Sequence, residues 1–168
     1  MFGFGERMEL IELPLKNMNG GSPMPMVLIG SSGNLFVLFY GGELPVNMRQ
    51  ENNTEYDEIL VIMKFIQHSI YKFGSPNDEV LHGHPYYRLG LKPYSFFELK
   101  NSDWIKKLMK INSVHRQFNK ERWKNDKHFI LTFHDETFEC IADGYEISEE
   151  NISMKDKAFQ IMNEYFAD

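Results

Sequence analysis

Six histidines are the side chains in this sequence best suited to proton transfer or metal ligation, and three of them fall in short polar motifs. His82-Gly83-His84 is an H-x-H pair. On an extended chain alternate side chains share a face, so both imidazoles could meet one metal ion. Such a site needs a third or fourth ligand, and Asp78, His115, His134 and Asp135 are available for it. His82, His84 and His134 are thus candidate ligands for a divalent metal, the one cofactor suggested by these residues. The competing reading is a loop whose histidines hydrogen-bond to backbone groups and hold an irregular segment in shape.

His134-Asp135-Glu136 is the second motif. A carboxylate beside an imidazole orients the ring and raises its basicity. Neighbours on a strand point to opposite faces, so these two would pair only if a turn curls them together. The same residues also suit a plain hairpin turn. Asn77-Asp78-Glu79 follows a strand end, where one carboxylate could serve as general base with a histidine as acid. Turn formation and an acidic surface are its plain alternative. His115 lies just past a helix that begins near Asp103, where a cation also suits the helix dipole.

These groups define the leading expectation, a small-molecule-binding or hydrolase-like acid–base site. It is built from the 74–91 loop, His115 and the His134-Asp135 hairpin tip. His84 and His134 are the proton-transfer groups and Asp78 or Asp135 the orienting carboxylate. Glu79, His82, Tyr86, Tyr87 and Arg88 are the ligand contacts, and the ligand is a small polar molecule. The alternative is a protein-interaction module without catalysis, of the immunity or defence-accessory kind, whose acidic, aromatic-rich surface captures a basic protein partner. In a third reading the histidines serve only the fold.

Composition narrows the field. The 168 residues suit one domain, with a core large enough to need no staples. Aromatic residues make up 14%, which fits sheets and a packed interior. A net charge of −6 disfavours nucleic-acid binding through a global basic face. The one basic stretch, Lys106 to Lys127, falls in a helical region and reads as a solvated face. Cys140 is the single cysteine, so no disulfide forms within the chain and a reducing, cytoplasmic setting is expected. Its place among Phe138 and Ala142 marks it as buried and inert. No secretory signal and no membrane-spanning run is seen. No G-x-S-x-G elbow, Walker A loop, G-x-G-x-x-G or H-E-x-x-H occurs.

The elements that must position these groups are mostly strands. Met8 to Leu15 reads as a strand, and Met26 to Ile29 with Leu35 to Tyr40 as a hairpin around a Gly/Ser/Asn loop. Residues 43–57 form the expected mobile loop. Ile59 to Phe73 reads as one long strand, bent near His68. Residues 74 to 93 are too rich in Gly and Pro for a long regular element. An irregular stretch of about twenty residues inside a compact domain is uncommon unless it is functional or disordered. Its histidines and tyrosines argue against disorder. Tyr94 to Leu99 is a strand, Asn101 or Ser102 caps a helix from Asp103, and Asn119 caps a short second helix. His128 to Phe133 and Thr137 to Ala142 form the clearest hairpin. Ser153 caps a C-terminal helix within 150–168. Hairpins without βαβ alternation predict an α+β fold: a mostly antiparallel sheet with two or three helices packed on one side.

Several blocks carry a resemblance. They are Gly74-Ser75-Pro76-Asn77-Asp78-Glu79, Gly83-His84-Pro85 with Tyr87 and Gly90-Leu91, and Asn101-Ser102 with Trp104-Ile105. Asn112-Ser113-Val114-His115, His128-Phe129-Ile130, Thr132 to Asp135 and Thr137 to Ala142 continue them. Over roughly residues 8 to 142 they resemble an uncharacterised bacterial protein family. The resemblance implies a bacterial, cytoplasmic, stand-alone protein and implies no activity. That family carries a second histidine three positions after the one matching His115. Phe118 stands there in this chain, so a mechanism that needs the pair does not carry over.

Overall fold

Leu35-Phe36-Val37-Leu38-Phe39 and Leu60-Val61-Ile62-Met63 are apolar at every position, and a strand with two apolar faces must be covered on both. That requirement shapes the architecture. The computed structural model describes residues 7–16, 18, 25–30, 33–43 and 58–165. Residues 44–57 of the expected mobile loop 43–57, and residues 166–168 of the C-terminal segment, lie outside the described residues.

The described strands are β1 (Glu9–Leu13), β2 (Met26–Ile29), β3 (Leu35–Glu43), β4 (Glu58–Ile66) and β5 (Ile70–Gly74). β6 (Ser95–Lys100), β7 (Lys127–Thr132), β8 (Thr137–Ala142) and β9 (Gly144–Glu150) follow. The helices are α1 (Asp103–Asn112) and α2 (Met154–Tyr165), with 3₁₀ turns at Asp78–Gly83, Tyr87–Leu89 and Lys120–Lys124. Two antiparallel sheets result, a five-stranded one in the order β1-β6-β7-β8-β5 and a four-stranded one in the order β2-β3-β4-β9. The fold is therefore α+β and antiparallel. It has two sheets where the sequence suggested one, and each carries its helices on its outer face.

The core lies between the sheets. Leu35, Val37, Phe39, Val61, Met63 and Phe65 from one sheet meet Phe96, Phe129, Leu131, Phe138 and Cys140 from the other. Phe65 packs on the rings of Phe96, Phe129 and Phe138. The alternate residues Phe36, Leu38, Leu60 and Ile62 face outward and are covered by Ile161 of α2. Ser153 starts α2, accepting the Asp156 amide at 3.0 Å. Ala158 and Ile161 of α2 are buried and Met154 and Tyr165 pack beside that cluster, while Met162, which the spacing places on the same face, is exposed. On the outer face of the five-stranded sheet, Phe97, Leu99 and Ile130 are covered by Leu81, Tyr86 and Leu91.

The long strand expected over 59–73 is two strands in different sheets. Gln67, in the left-handed region at φ 52°, turns the chain from β4 into β5. The chain crosses again at Asp143, between β8 and β9. The crossings are tied together by Asp143 N–H to Ile66 O at 3.0 Å and Ser69 N–H to Ile141 O at 2.8 Å. Among the described helices, none is long and apolar enough to cross a membrane.

Candidate functional site

The segment expected to be irregular is an ordered cap. Asn77 accepts the Val80 amide at 3.3 Å and starts the 3₁₀ turn Asp78–Gly83. Thr137 Oγ1 donates to Pro76 O at 2.8 Å and fastens the start of the segment to β8. The Asp78 amide donates to the His134 carbonyl at 3.0 Å, so this turn and the β7–β8 hairpin tip share backbone bonding. Phe133 N–H to Glu136 O at 2.8 Å closes that tip.

These contacts assemble a three-residue rim site. His134 Nδ1 lies 2.8 Å from Asp78 Oδ2 and 3.2 Å from the Tyr94 hydroxyl. The Tyr94 hydroxyl itself donates to Asp78 Oδ2. A carboxylate only accepts, so His134 Nδ1 carries a proton. In the neutral ring Nε2 is then the lone-pair nitrogen, and it makes no hydrogen bond among the described residues. The His134 side chain is 47% exposed.

Electrostatics at the rim follow this geometry. The Asp78 hydrogen bond, then its charge, raise the pKa of His134, with smaller contributions from Asp135 and Glu79. The bonds from Tyr94 and His134 lower that of Asp78. Tyr94 is pushed up to about 12, chiefly by its bond to Asp78. Tyr94 also sits in the left-handed region at φ 54°, an uncommon conformation for an aromatic residue. Asp78 Oδ1 and Glu136 Oε2 are buried without a hydrogen-bond partner among the described residues. Burial first, and the nearby Asp135 charge second, raise the pKa of Glu136.

His84 is elsewhere. It faces inward from the cap onto the outer face of the five-stranded sheet, with its side chain 4% exposed. Its Nδ1 accepts the Tyr86 amide at 3.3 Å, which puts the proton of the neutral ring on Nε2. That nitrogen lies 3.5 Å from Glu139 Oε1. Glu139 Oε2 lies 2.9 Å from His128 Nε2, and His128 Nδ1 lies 2.8 Å from Ser102 Oγ. Ser102 is also the N-cap of α1, accepting the Ile105 amide at 3.3 Å. Lys72 reaches Glu139 Oε1 at 3.3 Å and lies over the Trp104 ring. Burial alone would raise the Glu139 carboxyl. The bonds from His128 and His84, with the charges of His128 and Lys72, outweigh it and hold the carboxyl far below its ordinary range. This network binds the cap, α1 and three strands around one carboxylate, and His84 and His128 are closed off from solvent.

The remaining candidates separate. His82 is exposed, edge-on to Tyr87, and a 3₁₀ turn rather than an extended chain carries it. His82 and His84 therefore do not share a face, and the chelating H-x-H geometry is not formed. Among the described residues no three His, Cys, Asp or Glu side chains form a group that could hold a metal ion. Tyr86 is buried, and its hydroxyl donates to Asp103 at 2.6 Å, while Tyr87, Arg88 and Glu79 lie on the surface. Asp135 is exposed and influences His134 by charge alone.

His115 lines a groove with Asp126, at the start of β7. His134 lies past the other end of that strand, about 25 Å away at roughly 3.3 Å per residue. The composite site expected from the sequence is thus split, with Asp78 and His134 at one end of the sheet and His115 at the other. Residue type and spacing alone do not mark Tyr94, Glu139, His128 and Lys72 as site residues. A signal existed for Glu139, since a charge inside the apolar strand Thr137–Ala142 demands buried partners.

The chain matches no protein-family model, and neither the curated proteins nor the solved structures contain a match to it.

Proposed function

We propose that this protein acts on a small polar molecule through acid–base chemistry at His134, in a hydrolysis-like reaction. The observation that carries the reading is the bonding of one imidazole. Nδ1 is held by Asp78 and Tyr94, and Nε2 is left unbonded on an exposed side chain. A carboxylate that fixes the tautomer and stabilises the imidazolium makes Nε2 a base for a substrate hydroxyl or water, and then an acid for the leaving group. The strained backbone at Tyr94 supports it, because such strain concentrates at functional sites. The test is turnover of chromogenic esters, phosphoesters and glycosides by the wild type, His134→Gln and Asp78→Asn. The expected result is one substrate class turned over by the wild type and lost in both folded variants. Turnover of none, or full activity in His134→Gln, would sink the reading.

A second reading has its own observation. β5 is an edge strand of the five-stranded sheet among the described residues, and Tyr71 and Phe73 on it are exposed. An exposed edge with aromatic side chains is a template for strand addition by a protein partner. Replacing Phe73 by lysine removes an exposed apolar contact that such a partner would use and puts a charge in its place. A stoichiometric partner captured by the wild type and lost with Phe73→Lys supports this reading, and retention of that partner by the variant rejects it.

A further inference from the structure

The groove containing His115 is separate from the rim site and has a volume of about 490 Å³. It lies at the corner where the chain crosses between the sheets and is lined by residues 67–69, the segment after α1, Asp126 and Asp143. We infer that this groove binds a neutral polyhydroxylated ligand, a sugar, stacked on Trp123.

The polar lining is pre-assigned by backbone bonds. His68 Nδ1 lies 2.8 Å from the Gly33 carbonyl, so Nδ1 donates and Nε2 is left as an acceptor in the neutral ring. His115 does the reverse. Its Nδ1 accepts the Gln117 amide at 3.1 Å, which leaves Nε2–H as a donor. Asn112 Nδ2 donates to Leu108 O at 2.9 Å and leaves its amide oxygen as an acceptor. Asn119 Oδ1 accepts the Glu121 amide at 2.9 Å and leaves its NH₂ as a donor. Four side chains thus each spend one end on the main chain and keep the other for a ligand, two as acceptors and two as donors.

A hydroxyl group both donates and accepts, so a ring bearing several hydroxyls suits such a mixed set. The faces of a sugar ring are C–H surfaces, and Trp123 with Phe118 supplies apolar area for one of them. Asp126 and Asp143 add fixed acceptors, and Arg122 adds a donor. Charges of both signs line the groove, which argues for a neutral ligand over a strongly ionic one.

The test is calorimetric titration and saturation-transfer NMR of the full chain with glucose, galactose, N-acetylglucosamine, maltose and cellobiose. Putrescine and inorganic phosphate serve as cationic and anionic controls. Saturable binding of at least one sugar is expected. Trp123→Ala and His115→Ala should each weaken it about tenfold or more, as loss of a central contact does. His134→Gln should leave it unchanged, which separates this inference from the rim reading. No saturable sugar binding, unchanged binding in Trp123→Ala, or binding of a control ion in place of any sugar would overturn it.

Discussion

His134 and Asp78 meet twice, once through side chains at 2.8 Å and once through Asp78 N–H to His134 O at 3.0 Å. The backbone contact fixes where the ring and the carboxylate begin, and the side-chain contact fixes the tautomer. The pair is therefore built by the fold, and its pH dependence follows. His134 titrates above its ordinary 6.5 and Asp78 below its ordinary 3.8 in the folded chain. The raised histidine contributes stability that is complete below 6.5 and lost as pH rises through its folded value. The lowered aspartate contributes above 3.8 and loses that as pH falls through its folded value. The stability difference between wild type and Asp78→Asn should thus be widest between pH 3.8 and 6.5. NMR titration should show the His134 midpoint fall in Asp78→Asn, and an unmoved midpoint would refute the coupling.

His84 and His134 should respond oppositely to truncation. His84 is enclosed and bonded to a buried carboxylate, so His84→Ala removes a charge-assisted bond and opens a cavity. A loss of about 2–4 kcal/mol is expected. His134→Ala touches an exposed side chain and should barely move the melting temperature. Parallel thermal melts decide it, and equal losses would mean that the rim histidine is also structural.

That contrast shows what the sequence could reveal. The β7–β8 hairpin, the Ser102 and Ser153 caps and the density of polar groups in 74–91 follow from local chemistry, which short windows record. The split of 59–73 between two sheets depends on one left-handed residue, Gln67, whose type does not announce it. The burial of His84 depends on Glu139, 55 positions away in the chain. Whether Asp78 or Asp135 serves His134 was a question of tertiary placement. The strand rule ruled out an easy pairing of adjacent residues, and only the fold could name Asp78 as the partner. β9 is not legible as a strand in the sequence, because its exposed acidic positions dilute the apolar pattern.

Cys140 should be inert while the chain is folded. It is buried between the sheets, and burial, followed by the Glu139 charge, pushes its thiol well up. A thiol reagent attacks the thiolate, so labelling requires both exposure and deprotonation. Ellman's reagent should label the native protein only at the rate of unfolding, and label it at once in denaturant. Rapid native labelling would show that the sheets part locally at β8.

Glu139 should govern the acid limb of stability. Its folded carboxyl titrates far below its ordinary 4.5, because bonds from His128 and His84 outweigh the cost of burial. A lowered acid contributes stability that is complete above 4.5 and lost as pH falls through the folded value. Glu139→Gln keeps the shape but replaces one accepting oxygen with a donor that faces other donors. Near neutral pH it should cost about 2–4 kcal/mol. Below pH 4.5 the gap between wild type and variant should narrow as the wild type loses this contribution. Urea unfolding at a series of pH values measures that gap directly. A gap that stays constant into strong acid would mean that the carboxylate charge is not what holds the cap to the sheet.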